Sequence, residues 1–472
     1  MTWIDERWRT IATRVAIGAG VAVYLLLIAK AIGGASTPDG FNVPIQAFAL
    51  SVLPVAFVLA FRAPIIFPFG LYVAMAPFDN ILAVSSGGTV VRLIGLVSAG
   101  ALLTRILLGR RFVWPQPAWF AWFAFVVWTG FTLIWTPDLP ESQRVFGIIF
   151  QNFLMMTVLA VYPIAARELR WLMGIIITSG VLLSIYEFAE LFTGRAKFGD
   201  RISITTGTGV MIDPNYFATS YLLPIAMLLG IALAARSVPL RLAAWTGTSM
   251  MMVGVLLTGS RGAFIAIAVL FCWFILRSRH RLQVIGVSFL CFALTVFYPT
   301  VWERFLKDPG AQGSGSGRTF IWKVGFRAIQ DHLVFGTGIG SFPSTYDEYF
   351  LRVYQPIYQG WHRPSHDLVV GMWTELGLIG LFLILTAWYM SFRQLRIVPK
   401  DHAMYGVRIA LEATVLGLFA QAMFIDTVWL KYIWLAHSIP LLFLNAYFPR
   451  VPGAIVAKMP RAQIRLVPRN TT

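Results

Sequence analysis

The sequence predicts an all-α polytopic membrane protein with about 12–14 transmembrane helices. Of the 472 residues, 58% are apolar and 12% are charged, whereas a soluble domain has about 25% charged residues. The apolar residues are also grouped in runs of about 20, the length at which a helix crosses the hydrocarbon core of a bilayer. These two observations exclude a water-soluble globular protein and leave little chain for a soluble domain.

The candidate spans are bounded by proline, glycine and charged residues. The least regular are the run at 64–82, which contains three prolines, and the short run at 261–276. The first run is too long for a typical removable signal peptide and has no small-residue cleavage site. In chain order, the spans lie near 15–32, 43–61, 64–82, 89–108, 117–135, 145–165, 169–192, 214–235, 242–260, 261–276, 282–298, 368–390, 404–425 and 428–447.

Basic residues in the short connections predict the orientation, because Lys and Arg are retained on the cytoplasmic side of a membrane. Counted from the N-terminus, every second connection carries Lys or Arg, whereas the connections 33–42 and 83–88 on the opposite side carry neither. Both termini are therefore predicted to be cytoplasmic. The net charge of +17 then reflects topology and lipid contact rather than nucleic-acid binding.

The longest connection, residues 299–367, is predicted to lie on the outer side. Its Gln312–Gly317 stretch is typical of a flexible segment. Residues 319–333 follow with the period of an amphipathic helix that lies on the membrane or covers a cavity. The predicted apolar face consists of Phe320, Ile321, Val324, Ala328 and Ile329, and the polar face of Lys323, Arg327, Gln330 and Asp331. The glycine-containing stretch 334–342 lacks the spacing of a dinucleotide fingerprint and is interpreted as a turn.

Three outer arginines are candidates for binding an anion. Arg201 lies upstream of Asp213-Pro214, two residues placed to cap and begin a helix. Arg261 lies at a glycine-flanked junction of two spans, where a backbone can approach an anion closely. Arg318 opens the amphipathic helix. For each arginine the alternative is a solvated or snorkelling side chain, and this alternative is weakest for Arg261.

A histidine on the same predicted side is a candidate general base. His366 directly precedes the span at 368–390 and is of a residue type that takes up a proton near neutral pH. An isolated histidine is more often structural, and His362 is a competing candidate. Glu375 lies within the span, where an acid is a functional candidate by default. Its structural alternative is a hydrogen bond that holds neighbouring helices.

Several kinds of site are missing from the sequence. There is no Asp-x-Asp pair, Walker loop, HExxH or Gly-x-Ser-x-Gly motif, and the first outer loop contains only Asp39 as an acid. Cys272 and Cys291 both lie in apolar runs, which argues against a disulfide framework or a metal site. Arginines bind a diphosphate through bidentate hydrogen bonds without a metal. The pattern therefore favours metal-independent chemistry on a lipid diphosphate, with no cofactor.

Taken in order, these residues resemble the O-antigen ligase and polymerase family of bacterial envelope proteins. The resemblance covers about residues 195–390. Its main element is similar to the family signature His-Asn/Ser/Gln-x9-Gly-x2-Gly, from which Asp367 departs because the family usually has an amide or a hydroxyl there. The matching elements are His366-Asp367 with Gly377 and Gly380, the stretch Thr258–Gly262, Arg201 upstream of Asp213-Pro214-Asn215, and Gly317-Arg318 through Gly338.

The resemblance implies a GT-C-like membrane glycosyltransferase in the bacterial inner membrane, with its active site on the periplasmic face. It would take a glycan from an undecaprenyl-diphosphate donor and transfer it, with inversion, to a glycan or glycolipid acceptor. Carried onto this chain, Arg201 and Arg261 would hold the diphosphate with help from Arg318. His366 would act as the base. Asp367, Glu375 and His362 are predicted to support the site. Whether the chain is a ligase or a polymerase stays open.

The resemblance also divides the chain into regions. N-terminal transmembrane helices occupy 1–192, the catalytic core with its periplasmic loop occupies 193–390, C-terminal helices occupy 391–448, and a basic cytoplasmic tail occupies 449–472. The alternative function is a flippase or transporter of polyanionic lipid-linked glycans, which would use the same arginines and need no base. No inverted repeat and no second cluster of intramembrane cations supports that alternative in the sequence.

Overall fold

The computed structural model describes nine stretches of the chain: residues 58–79, 83–84, 88–109, 111–193, 197–198, 201–202, 213–294, 318–353 and 360–450. The predicted first span at 15–32, the flexible Gln312–Gly317 stretch and nearly all of the basic tail lie outside these residues. The described part is almost entirely helical, apart from two short hairpins.

The first half of the described chain contains helices and the two hairpins. In each hairpin, two strands of two residues pair antiparallel. In chain order the elements are α1 (Phe69–Met75), β1 (Ala83–Val84), β2 (Gly88–Thr89), α2 (Val90–Gly109), α3 (Pro117–Phe131), α4 (Leu139–Val161), α5 (Ala166–Thr193), β3 (Lys197–Phe198) and β4 (Arg201–Ile202).

Every regular element in the described residues of the second half is a helix. Its elements are α6 (Pro214–Thr219), α7 (Leu222–Ala234), α8 (Val238–Thr258), α9 (Arg261–Arg277), α10 (Arg281–Leu294), α11 (Arg318–Asp331), α12 (Phe342–Phe350), α13 (Leu368–Arg393), α14 (Tyr405–Ala422) and α15 (Lys431–Tyr447).

The prediction of an all-α polytopic membrane protein is confirmed. Within the described residues, seven helical segments are long and apolar enough to cross a membrane. They are Val90–Gly109, Pro117–Ile134, Leu139–Val161, Ala166–Thr193, Pro214–Ala234, Val238–Thr258 and Leu368–Ile397. Many of their leucines, phenylalanines and valines are exposed on the outside of the bundle, as expected of surfaces that contact lipid tails.

The second half of the chain forms the more deeply buried part of the bundle. Helix α14 packs against both α7 and α9, while α13 packs against α3. Close approach is possible because small residues lie at the contacts. At Gly230 of α7 and Gly417 of α14, an added Cβ would meet a backbone carbonyl of the neighbouring helix at 3.1 Å. Small residues at helix crossings are typical of membrane bundles, in which packing replaces the hydrophobic effect.

Side chains cap the helix starts near the junction of α8 and α9, and the cap at Asp213 is the one predicted from the sequence. The Asp213 carboxylate accepts a hydrogen bond from the Asn215 amide at 2.8 Å, and Pro214 occupies the first turn of α6. Gly259 ends α8 in the left-handed conformation, with φ of 58°. The Ser260 hydroxyl then caps α9 by accepting a hydrogen bond from the Ala263 amide at 3.2 Å. The chain therefore turns between two long helices within two residues.

The predicted amphipathic helix is present as α11. All five residues of its predicted apolar face are buried, and they pack against α12 and α13. On the opposite face, Lys323 and Arg327 are exposed. Helices α11 and α12 therefore form a small cap with its own apolar core at the N-terminal end of α13.

A glycine-rich turn between α11 and α12 packs the cap against α13. The predicted turn at 334–342 is present, and its glycines 336, 338 and 340 all have positive φ. Gly377 interrupts α13 with φ of 67°, and a Cβ there would collide with the backbone carbonyl of Val334. Gly336 in turn lies against the backbone of residues 375–377. Glycine is required at both positions because the two backbones touch and both φ values are positive.

The buried cation at position 408 has a local partner. Arg408 donates to the Glu412 carboxylate at 2.8 Å and also to the backbone carbonyl of Val398. Trp273 of α9 donates to the same carboxylate at 3.1 Å. Both charged side chains are buried within α14, and the hydrogen bond from Trp273 connects this ion pair to α9.

Candidate active site

His366 occupies the last turn before α13, next to a carboxylate from a distant part of the chain. The Nδ1 atom of His366 lies 3.6 Å from Oδ2 of Asp426. The backbone amide of His366 donates to the same oxygen at 3.0 Å, and the Ser365 hydroxyl donates to Oδ1. His366 has a positive φ of 51°, a conformation that costs free energy for a non-glycine residue. The Asp426 contacts hold the loop in this conformation.

Asp426 is the residue that sequence reasoning missed. It belongs to the connection between α14 and α15, 60 residues after His366. The available signal was an acid in a short connection between the last two predicted spans, on the predicted outer side. That signal is weak because nothing in the local sequence links Asp426 to a histidine.

Asp367 caps a helix, although its position next to His366 in the sequence suggested a contact with the imidazole. Its Oδ1 accepts a hydrogen bond from the Val370 amide at 2.7 Å, which caps the start of α13. Burial raises the pKa of Asp367, although its hydrogen bonds to the backbone oppose that shift. The carboxylate beside the His366 ring is that of Asp426, and the described contacts of Asp367 are those of a helix cap.

The protonation of His366 is governed by burial and by nearby charges. Burial lowers the pKa of His366 below its ordinary value, and the Asp426 carboxylate opposes this effect. The positive charges of Arg318 and Arg363 lower the pKa of His366 further, while Asp213 raises it. The resting imidazole is therefore neutral near pH 7, which is the form that accepts a proton.

Two of the three predicted arginines lie in the same charged environment as His366. Arg318 is the first residue of α11, and burial lowers the pKa of its guanidinium. The charges of Asp213, Arg261 and Asp426 all act on Arg318. The cap helix α11, the junction of α8 and α9, and the connection after α14 therefore meet at one place.

A hydrogen-bond chain fixes the backbone on which Arg261 is carried. The Ser260 hydroxyl donates to the side-chain oxygen of Asn215 at 2.7 Å, and the amide nitrogen of Asn215 donates to Asp213 at 2.7 Å. Gln421 of α14 donates to the Asn215 carbonyl at 3.3 Å. Ser260 and Asn215 are buried, so the start of α9 is held rigidly next to α6 and α14.

Arg201 is described only through its backbone. It lies in β4, which pairs with β3 and packs against α5 and α8. Helix α8 is the helix that ends directly before the Gly259-Ser260 junction. The position of the Arg201 side chain lies outside the described part of the structure, and its part in the site stays a prediction.

The remaining predicted residues have structural contacts. Glu375 accepts hydrogen bonds from the amides of Gly340 and Phe342, at 2.9 and 3.1 Å, and so anchors the glycine turn to α13. His362 pairs with Asp347 of α12 at 3.0 Å, and its side chain is 63% exposed. The contact with Asp347 and this exposure place His362 on the surface of the cap.

A cleft of about 340 Å³ lies beside the His366–Asp426 pair. Ser365 and Asp426 form part of its wall, together with the rings of Tyr216 and Trp429. Among the described residues, no group of three or more His, Cys, Asp or Glu side chains is placed to hold a metal ion. The expectation of metal-independent chemistry stays a prediction.

Comparison with known proteins gives one family match, in the middle of the chain. Residues 246–385 match the family model described as O-antigen ligase. This match supports the family predicted from the sequence over that part of the chain, and it includes Arg261, Arg318 and His366 within its range. A search of curated proteins found no match. The match supports a membrane glycosyltransferase of the O-antigen ligase type that takes lipid-linked glycans as substrates.

Proposed function

We propose that this protein transfers a glycan from an undecaprenyl-diphosphate donor to an acceptor hydroxyl, as a ligase or a polymerase of the bacterial envelope. The observation that carries the proposal is the pairing of His366 with Asp426 in an environment that also contains Arg261 and Arg318. A base and a diphosphate-binding cation pair are the two elements that glycosyl transfer from a lipid diphosphate requires. The protein is proposed to act on the periplasmic face of the inner membrane.

His366 is proposed to accept the proton of the attacking hydroxyl. Its Nδ1 faces Asp426, which leaves Nε2 for the acceptor. As the acceptor oxygen attacks the anomeric carbon, its proton passes to Nε2 and the imidazole becomes positively charged. The Asp426 carboxylate stabilises that charge and orients the ring. Asp426 is thus a positioning residue rather than one that contacts the substrate oxygen.

Arg261 and Arg318 are proposed to bind the leaving group. The bond between the anomeric carbon and the diphosphate oxygen breaks as the new glycosidic bond forms, and its electron pair leaves with the lipid diphosphate. Guanidinium groups hold phosphate oxygens in bidentate geometry and neutralise the charge that develops on them. Attack from the side opposite the diphosphate inverts the anomeric configuration, and no metal ion is needed in this step.

The His366–Asp426 pair also favours a glycosyltransferase over a transporter. A flippase of lipid-linked glycans would need the arginines but would have no use for a base held by a carboxylate. The intramembrane cation Arg408, which a transporter could have used on the other side, is engaged by Glu412. These two observations favour transfer over transport.

Product analysis tests the proposal. Purified protein is given an undecaprenyl-diphosphate-linked repeat unit, first alone and then with a lipid A–core acceptor. A ladder of longer lipid-linked glycans identifies a polymerase, whereas transfer only in the presence of the core glycolipid identifies a ligase. The absence of any glycosyl transfer, with movement of the intact lipid across a vesicle membrane, would contradict the proposal.

Two substitutions assign the roles within that assay. His366→Ala should lower turnover by about 10²–10⁴-fold, the usual contribution of a general base, while the donor still binds. Arg261→Ala should weaken donor binding as well as turnover. His362→Ala is the matched control, because His362 lies nearby but is paired with Asp347 at the surface. Full activity of the His366 variant together with loss of activity in the His362 variant would assign the role of general base to His362.

A further inference from the structure

We infer that the cleft beside His366 binds a sugar residue of the acceptor, whereas the donor diphosphate lies on the arginine side. This inference rests on the proposed function and adds the location and chemical class of the second substrate. The volume of about 340 Å³ is at the lower end of the usual range of ligand clefts, about 300–1,000 Å³. Such a space accommodates a short piece of glycan rather than a polyprenyl chain.

The groups that line the cleft are a poor match for a diphosphate. Its carboxylates are those of Glu141, Asp367, Glu375 and Asp426. Arg144 is the one basic side chain in the described lining, and Glu141 already binds it through two contacts of 2.6 and 2.5 Å. Neither Arg261 nor Arg318 belongs to the lining. The described lining therefore offers a diphosphate no cation that is not already paired, whereas the hydroxyls of a neutral sugar would donate hydrogen bonds to the carboxylate oxygens.

Aromatic rings supply the apolar part of the cleft. Trp429 and Tyr216 contact each other edge to face, with ring centroids 5.1 Å apart. Trp429 lines the cleft and is 36% exposed, so part of this side chain is accessible to a ligand. The apolar C–H face of a pyranose packs on such a ring while its hydroxyls reach polar groups around the edge. Rigid aromatic rings contribute this contact area at a low cost in conformational entropy.

A buried hydroxyl in the same wall points to a polar ligand. Thr427 lines the cleft between Asp426 and Trp429, and it is fully buried. Its hydroxyl has no hydrogen-bond partner within the described part of the chain. A buried donor without a partner is costly, and a sugar hydroxyl bound at this wall is of the chemical type that satisfies it.

The position of the cleft relative to the base assigns it to the acceptor. Ser365 and Asp426 line the cleft and also contact each other directly beside the His366 ring. His366 is not itself in the lining, so a sugar in the cleft lies beside the Ser365–Asp426 pair that holds the imidazole, and its reacting hydroxyl extends past this pair to the ring. The diphosphate, held by Arg318 and Arg261, lies outside the cleft. Inversion requires that the acceptor and the leaving group lie on opposite sides of the anomeric carbon, as in this arrangement.

Kinetics of Trp429 variants test the inference. At saturating lipid-linked donor, Trp429→Ala should raise the KM for the acceptor about tenfold, the size expected for one lost ring contact, while the donor KM stays within about twofold. Trp429→Phe should recover part of the loss. Trp361→Ala is the matched control, since Trp361 is 50% exposed and packs on Phe350 of the cap instead of lining the cleft.

A binding measurement separates this inference from the proposed function. The oligosaccharide released from the repeat unit and the core oligosaccharide are titrated calorimetrically into wild-type protein and the Trp429→Ala variant, without donor. Binding of either sugar to the wild type that weakens in the variant supports the cleft, even where no transfer is found. A raised donor KM with an unchanged acceptor KM, or sugar binding of equal strength in both proteins, would overturn the assignment. Absence of sugar binding to the wild type would overturn it as well.

Discussion

Replacing Asp426 by asparagine should move the acid limb of the pH–rate profile to lower pH. The substitution keeps the size and most of the hydrogen-bonding capacity of the side chain but removes its negative charge. That charge stabilises the protonated form of His366 and raises the pKa of the imidazole. Without it, the neutral base persists to lower pH, although its turnover falls because the imidazolium formed during the reaction loses its partner.

The size of the shift follows from the 3.6 Å between His366 Nδ1 and Asp426 Oδ2. Two unit charges at this distance interact with about 1.2 kcal/mol in water and about 4.6 kcal/mol at an effective dielectric constant of 20. One pKa unit corresponds to about 1.36 kcal/mol, so the expected displacement is about 1–3 pH units. The two side chains are 17% and 22% exposed, which places the pair between the two limits.

The assay measures kcat/KM between pH 4 and 9, because its acid limb reports the base in the free enzyme. Arg318→Gln should move the limb in the opposite direction, since the Arg318 charge lowers the pKa of His366. Lys323→Gln is the matched control, because Lys323 is exposed on the cap and lies over the ring of Phe320. An acid limb of the Asp426 variant at or above the wild-type pH would refute the pairing of this carboxylate with the base.

Three further experiments concern the kink of α13, the topology and the metal requirement. Gly377→Ala should lower the unfolding temperature in detergent, because positive φ costs about 1–3 kcal/mol and the new Cβ meets the Val334 carbonyl. Gly147→Ala is the control, since Gly147 has open space around it and its unfolding temperature should be unchanged or higher. Equal unfolding temperatures in the two variants would contradict this reasoning. In intact cells, an impermeant thiol reagent should label Ser316→Cys and not Ser278→Cys, and the reverse pattern would invert the topology. Turnover should persist in excess EDTA, so activity that is lost and then restored by Mg²⁺ or Mn²⁺ would show a metal requirement.

The helices were predictable because membrane spans depend on local composition. Apolar runs located the spans within a few residues, as at 214–235 and 368–390, and the Asp213 cap of α6 was also correct. The amphipathic period of α11 identified its buried face correctly, since a period of 3.6 residues is a property of adjacent sequence. These features need no knowledge of distant contacts.

The site was predictable only in part, because its central contact joins residues far apart in sequence. His366 was selected by its place before a span, but its partner Asp426 is 60 residues away and is one of 21 acids in the chain. Adjacency favoured Asp367 instead, whereas the geometry of a helix start directs that carboxylate to the Val370 amide. The buried acids Glu187 and Glu412 were also missed; Glu187 accepts a hydrogen bond from Tyr221 at 2.7 Å.

The contact between His366 and Asp426 limits how this protein can be recombined with its relatives. The segment that matches the O-antigen ligase model ends at residue 385, whereas the carboxylate follows α14. A chimaera that exchanges only the matched residues would therefore contain the histidine of one protein without the carboxylate that pairs with it. Exchange should yield an active hybrid when the donor fragment extends through α15, or when the host supplies a carboxylate at the position of Asp426. The smallest exchangeable unit is thus set by this long-range pair rather than by the extent of sequence similarity.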